Sequence, residues 1–323
     1  MARLKPQLPK GASFAHDAAI EYLSHRLSAF RHIAVITGAG ISTESGLSDY
    51  RSPGKNKPPR PPIKHQEYVA SAVVRQRYWA RSYVGFPVLS NARPNLAHLS
   101  LAALHDAAGS RFRAHITQNV DGLLQAAKLP TASLIELHGT IHKLVCRSCG
   151  AYELRKTFQT RLNTLNEQWS RELGTYSYRP DGDADLDSEL VHGFRVPHCN
   201  ECGEEALMPA LVFHGGQVPA HVADKATRMV EQCDALLVVG STVTPFSAYR
   251  LVRLAKQRGA FLACVNFGDT RADDLYDVKV EALVGNAMAR LTNLQLTGGF
   301  AVREGFEDVL RPQEDKLVRR LEL

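Results

Sequence analysis

An α/β fold, a doubly wound and mostly parallel sheet carrying a small inserted module, is what this sequence predicts, and three observations lead there. Short apolar runs rich in β-branched residues alternate with helix-patterned stretches along most of the chain. Those runs end in glycine or small polar residues, where open α/β sheets place their ligands. The alternation breaks between about 140 and 208, and that interval holds two Cys-x-x-Cys pairs.

Taken in order, Ala15, Ala18, Ala19, Tyr22, Leu27 and Phe30 fall mostly on one helical face, so 15–30 reads as an amphipathic helix. His32–Thr37 is a short apolar run that breaks into Gly38-Ala39-Gly40, the pattern of a buried strand ending in a glycine turn. Ser52–Ile63, dense in proline and cations, is too long for a simple connector and reads as a lid or binding loop. Ala114–Thr117, Leu134–Leu137, Ala235–Val239 and Phe261–Asn266 read as further strands. Helices are expected at Asn95–Ala108, stopped by Gly109, at Pro219–Gln232, and at Ser247–Arg258, stopped by Gly259. Inside the interruption, Phe158, Leu162, Leu165 and Trp169 mark one helix. The acidic stretch Asp181–Glu189 fails as a calcium loop, because Leu186 and His192 stand where glycine and glutamate are needed. A solvated loop is the reading that remains. The division expected is 15–140 with 205–295 as one discontinuous domain, 141–204 as the inserted module, and 296–323 as an extension ending in a short docked helix.

Composition narrows the class further. The chain has 323 residues, 44% hydrophobic and 22% charged, long enough for about two domains and unlike a disordered polymer. No apolar run reaches the ~18 residues of a membrane span. The net charge of +6 is spread along the chain, which permits an anionic ligand without arguing for nucleic acid or a membrane surface. Six cysteines make no disulfide scaffold, and their pairing suits a reducing compartment.

Several constellations carry chemistry. Cys146/Cys149 and Cys199/Cys202 can supply four thiolates to a closed, structural zinc site, with a redox pair or chance as the competing readings. Cys233 and Cys264 stand alone in apolar surroundings and read as core. Gly38, Ala39, Gly40, Ile41 and Ser42 directly follow a strand, which suits a pyrophosphate facing helix N-terminal amides. Thr43 stands where the third glycine of the usual dinucleotide fingerprint would be, and a bare strand-ending turn is the bland alternative. Asp49 and Arg51 add a polar density that a mere connector lacks. Gln118, Asn119, Val120 and Asp121 follow a second strand, His138 a third, Gly240-Ser241-Thr242 a fourth, and Asn266-Phe267-Gly268 a fifth. A histidine at such an edge serves either as a general base near neutral pH or as a structural residue.

Together these pieces resemble the sirtuin family, the NAD-dependent protein lysine deacylases. Gly38–Arg51 is similar to the family's nucleotide loop, and Thr117–Gly122, Leu137-His138-Gly139, the cysteine pairs, Gly240–Thr242 and Val265-Asn266 follow in the family's order. Arg75–Arg81 and Pro180–Glu189 are similar to its class II branch, which includes the mitochondrial sirtuin 4 group. The resemblance implies a Rossmann-like NAD-binding domain with an inserted zinc module. It gives Gly38, Ala39, Gly40, Ser42, Asp49 and Arg51 to the nucleotide loop, and Gln118, Asn119, Val120 and Asp121 to the nicotinamide ribose and amide pocket, with Ile41 against the ring. It gives Gly240, Ser241, Thr242, Asn266, Phe267 and Gly268 to the adenosine half. The implied reaction has the acyl oxygen of an acylated lysine attack the ribose as nicotinamide leaves. Asn119 and His138 are then the catalytic pair, His138 deprotonating a ribose hydroxyl.

The substrate segment Pro209–Gly216 departs from the family pattern, with His214 at an aromatic place and Gly216 at an acidic one. Its backbone still suits an extended peptide added as a strand, with Val212, Phe213, His214, Gly215 and Val243 expected to line the site. Tyr78 and Arg81 are candidates for holding an acidic acyl chain, with a core tyrosine and a surface arginine as the plainer reading. Acetyl and longer acidic groups such as glutaryl or methylglutaryl both stay open. Two other functions compete: a mono-ADP-ribosyltransferase, and a zinc-dependent nucleic-acid or partner-binding module. The compartment implied is the mitochondrial matrix for a eukaryotic protein and the cytoplasm otherwise.

Overall fold

The structure, a computed structural model, describes residues 17–49, 62–107, 109–171, 186 and 191–297. Arg51, most of the Ser52–Ile63 loop, nearly all of Asp181–Glu189 and the tail beyond Thr297 lie outside the described residues.

Six strands form one parallel sheet. They are β1 (Ile33–Thr37), β2 (Ala114–Thr117), β3 (Leu134–Glu136), β7 (Ala235–Val239), β8 (Phe261–Val265) and β9 (Val278–Val280). Their order is β3-β2-β1-β7-β8-β9. A second sheet, antiparallel and in the order β5-β4-β6, holds β4 (Gly139–Cys146), β5 (Tyr152–Leu154) and β6 (Leu207–Leu211).

Strand alternation explains why the large sheet is apolar on both sides. Ile33, Val35, Leu237, Val239, Ala263 and Val265 pack one face with side chains of α1 (Asp17–Leu27), α4 (Leu96–Asp106) and a long C-terminal helix, Val284–Thr297, which becomes α10. Ala34, Ile36, Leu236, Val238, Leu262 and Cys264 pack the other face with α8 (Ala220–Glu231) and α9 (Phe246–Gln257). Cys264 is therefore a core residue, and Cys233 packs beside the same cluster.

The smaller lobe has its own core. Phe158 and Leu162 of α6 (Arg155–Leu165), Trp169 of α7 (Glu167–Arg171) and Leu144 of β4 surround Trp79 of α3 (Ala72–Asn91). That core thus borrows α3 from far upstream in the chain. The expected single helix around Phe158–Trp169 is two, separated at Asn166, whose side chain instead donates to the Arg195 carbonyl at 2.9 Å. Arg155 is fully buried here, its guanidinium 4.2 Å from the Phe86 ring centroid and hydrogen-bonded to Gln159 and the Ser82 carbonyl. Burial lowers its pKa to about 10. Two short helices, α2 (His65–Ala70) and α5 (Leu123–Ala126), complete the set among the described residues.

Candidate active site and metal centre

From β1 the chain steps through β2 to β3, and from β7 through β8 to β9 in the opposite direction, so the order reverses between β1 and β7. Ligands of open α/β sheets bind in the crevice at such a point. Thr37 is level with Val239, which brings Gly38–Gly40 against Gly240–Thr242. The Gly38 amide donates to the Val239 carbonyl, and Gly40 to that of Gly240 at 2.9 Å. After Gly38 the chain forms a 3-10 helix, Ala39–Ser45.

A polar network grows from these turns. Gln118 Nε2 donates to Ser241 Oγ at 2.7 Å, bridging the ends of β2 and β7. Asn119 Nδ2 donates to the Gly38 carbonyl at 3.0 Å and to Ser42 Oγ at 3.1 Å, and Ser42 donates onward to Asp121 Oδ2 at 2.7 Å. Asp121 Oδ1 accepts the Leu123 amide at 2.9 Å, so both carboxylate oxygens are held. Asn95, at the N-cap of α4, clamps the 3-10 helix by donating to the Ile41 carbonyl at 2.7 Å and to Ser45 Oγ at 3.0 Å.

His138 stands where β3 gives way to β4, at the junction of the two sheets. Its Nδ1 lies 3.1 Å from the Gln118 carbonyl and its Nε2 2.8 Å from Ser247 Oγ. Burial pushes its pKa below the ordinary 6.5, with the nearby His214 acting in the same direction against the Gln118 hydrogen bond. A neutral imidazole with one nitrogen bound to a carbonyl keeps a lone pair on the other, which is what a base requires.

One cavity of about 1180 Å³ gathers these groups. Of the expected site residues, Gly38, Ala39, Gly40, Ser42, Asp49, Gln118, Asn119, Val120, Asp121, His138, Gly240, Ser241, Thr242, Asn266 and Phe267 line it, and so do Tyr78, Val212, Phe213, His214 and Gly215. Four others are placed elsewhere. Ile41 turns its side chain into the apolar layer beneath the sheet, and Val243 packs fully buried in the layer on the opposite face. Gly268 donates its amide to Glu281 instead, and Arg81 is buried away from the cavity wall although Tyr78, on the same helix, lines it. Arg51 lies outside the described residues.

The substrate segment meets the site through backbone. Val212 donates its amide to the His138 carbonyl at 2.9 Å, and the His214 carbonyl accepts from His65 at 2.9 Å. Strand β6, which leads into it, is at the edge of its sheet among the described residues, the position to which an extended peptide can be added.

Ser247, Glu44 and Asn95 belong to the site region and were not singled out by sequence. Ser247 and Glu44 line the cavity, the latter binding the Gly285 amide at 2.8 Å across 241 positions. The signal for Ser247 was its place just after a strand-end turn, at the start of a helix; the other two offered only ordinary capping chemistry.

The four paired cysteines meet at the edge of the smaller lobe, their sulfurs all within 4.8 Å of one another. Cys146 Sγ lies 3.6 Å from Cys202 Sγ, and Cys149 Sγ 3.8 Å from Cys199 Sγ. Tetrahedral Zn–S bonds of ~2.3 Å separate sulfurs by ~3.8 Å, whereas a disulfide would need ~2.05 Å, so these thiols fit a metal and not a bridge. The two knuckles match: Gly150 and Gly203 each adopt φ +75° and donate to the carbonyls of Cys146 and Cys199 at 2.9 Å. A shell of four thiolates leaves no open position, so the metal supplied here is structural.

Comparison with known proteins agrees with this arrangement. The NAD-dependent protein deacylase SRT2 of Arabidopsis thaliana is 39% identical over 277 residues, 81% of this chain and 73% of that protein. The NAD-dependent protein lipoamidase sirtuin-4, mitochondrial, of Homo sapiens is 39% identical over 83% of this chain and 84% of its own length. Among solved structures, "Sir2-p53 peptide-NAD+" superposes with a TM-score of 0.67 at 25% identity, covering 87% of this chain and 98% of that one. With residues 38–245 matching the Sir2 family along the stretch that carries the glycine turn, His138 and all four cysteines, the chain belongs to the Sir2 family.

Proposed function

We propose that this protein is an NAD-dependent protein-lysine deacylase, moving an acyl group from lysine to ADP-ribose with release of nicotinamide. One observation carries the reading: a single cavity is lined by both glycine turns, by Asn119 and His138, and by the Val212–Gly215 segment. A dinucleotide and an extended peptide thereby share one wall with a histidine base. The names of the relatives, NAD-dependent deacylases and deacetylases, support the same reading.

In this reading the backbone of Gly38–Gly40 and Gly240–Thr242 takes the pyrophosphate and adenosine, and Asn266 and Phe267 border the adenosine half. NAD, when bound, supplies a ribose carbon activated by its nicotinamide leaving group. Asn119 and Asp121, locked by Ser42, orient the ribose and amide. His138 Nε2 accepts the proton of a ribose hydroxyl. Cys146, Cys149, Cys199 and Cys202 hold one structural zinc. Residues 15–140 and 205–295 form the nucleotide-binding domain, and 141–204 the metal module on which α3 docks.

The acyl group is acetyl or a longer acidic chain such as glutaryl or methylglutaryl. Arg81, buried outside the cavity lining, speaks against selection of an acidic chain by its guanidinium, while Tyr78 on the same helix lines the cavity. The compartment we favour is the mitochondrial matrix in a eukaryote, supported by relatives named mitochondrial, or the cytoplasm in a bacterium.

The test is a panel of acetyl, succinyl, glutaryl and methylglutaryl lysine peptides with NAD. His138→Ala should lower deacylation by ~10²–10⁴-fold on every accepted peptide. Deacylation by His138→Ala at the normal rate would remove the base assignment. ADP-ribosyl transfer surviving in that variant, with no deacylation by the native enzyme, would favour the transferase.

A further inference from the structure

We propose that Ser247 is a positioning residue for His138: with the imidazole tautomer set by the Gln118 carbonyl, the Ser247 hydroxyl holds the base nitrogen's lone pair until the substrate hydroxyl takes its place. The inference rests on the reading of His138 as the base.

The geometry is specific. The Gln118 carbonyl, 3.1 Å from Nδ1, can only accept a hydrogen bond, so the ring proton belongs on Nδ1. Nε2 of the neutral ring then carries the lone pair, and Ser247 Oγ at 2.8 Å is its donor. A hydroxyl at that distance from a base nitrogen has the same relation to it that a reacting hydroxyl must have. Ser247 thus occupies the direction along which the substrate's proton will come. Both partners line the cavity, so the exchange needs no opening of the fold.

The position of Ser247 is set by the nucleotide-binding turn. It lies in the first turn of α9, which begins six residues beyond Gly240, and Pro245 accepts the amides of Ala248 and Tyr249 to start that helix. Ser241 Oγ, which receives Gln118 Nε2, also receives the Val243 amide at 3.0 Å. The residue whose carbonyl accepts from His138, Gln118, is therefore tied by its side chain to the loop that delivers Ser247. Both nitrogens of the base are held by one connected unit.

The charged groups around the base are few. His214, from the substrate segment, opposes protonation of His138. Arg250, one turn beyond Ser247 on α9, lines the same cavity. Neither contributes a hydrogen bond to Nε2 among the described residues, so the hydroxyl of Ser247 is the local group that stabilises the neutral ring.

Ser247→Ala, Ser247→Thr and His138→Ala decide the matter in the full-length enzyme. Nitrogen-correlated NMR of the free native protein should show His138 protonated on Nδ1. In Ser247→Ala the His138 pKa and the acid limb of kcat/KM should move up by ~0.5–1 pH unit, the worth of one hydrogen bond to the neutral ring. The acid limb of kcat should stay in place, because bound substrate has already displaced the serine. Ser247→Thr, which keeps the hydroxyl, should restore the native kcat/KM profile. An Nε2–H tautomer, or a Ser247→Ala variant whose two profiles match the native ones, would overturn the proposal. If His138→Ala deacylates normally, it is the base assignment that fails, whatever Ser247 does.

Discussion

The amide of Gly40 donates to the carbonyl of Gly240 at 2.9 Å, locking two turns that are 200 positions apart into one cradle. The approach leaves no room for a side chain on either partner. A methyl group at Gly40 would lie 2.7 Å from the Gly240 oxygen, and one at Gly240 would lie 2.6 Å from the Ile41 nitrogen. Gly240 also sits at φ +57°, which L side chains rarely adopt. The obstructing atoms are backbone in two buried strands' turns, so neither can swing aside. Gly40→Ala should cost about 1–3 kcal/mol of stability by overpacking and abolish measurable NAD binding. Thermal melts and calorimetric titration with NAD check both; a variant that melts and binds like the native protein would show the turns to be separable.

What could be read from sequence followed from locality. The strand ends at Thr37, Thr117, Val239 and Val265 were legible because a buried parallel strand writes a continuous apolar run and the turn after it writes glycine or amide residues. The cysteine knuckles were legible because their spacing encodes metal geometry directly. Helix α3 was not, since Trp79 and Arg81 are both buried in it and its pattern answers to a core drawn from residues about eighty positions downstream. Arg155 was invisible for a related reason: its desolvation is met by aromatic faces and carbonyls, partners that no sequence rule assigns to an arginine. Among the site residues, Ile41 and Val243 each sit in a glycine turn whose neighbours line the cavity yet point into the apolar layers, because successive residues of a tight turn do not share a direction.

Both tryptophans of the chain, Trp79 and Trp169, lie in the apolar cluster that also contains Cys146 and Cys199. Tryptophan emission therefore reports on the metal lobe alone. Each chain should carry about one zinc by elemental analysis, since the four thiols complete a closed shell. Stripping it with a strong chelator should shift emission to the red while the large parallel sheet keeps its circular dichroism, because the two cores are distinct. Cys146→Ser should reproduce that shift without chelator, as structural zinc binding is folding energy. Unchanged emission after complete metal removal would show that this core closes without the ion.

Acid should unfold the protein through two histidines that the reaction does not use. His98, in α4, and His115, in β2, are buried, and burial lowers the pKa of each from 6.5 to about 4. His98 is held by Asn95 at 3.0 Å, and His115 by the Phe112 carbonyl at 2.9 Å, with no hydrogen-bond partner at its other nitrogen. In the unfolded chain both protonate near 6.5, so below that pH the unfolded state binds protons that the native state refuses. Their contribution to stability is thus complete above about pH 6.5, falls as the pH drops, and is lost by about pH 4, amounting to about 3 kcal/mol per histidine. Urea melts at stepped pH should show the unfolding free energy declining through this window. His115→Leu removes one titrating group and leaves no unpaired nitrogen, and should flatten the decline by about half. A native protein equally stable at pH 6.5 and pH 4 would mean that these rings take up protons in place, and that the sheet admits water around them.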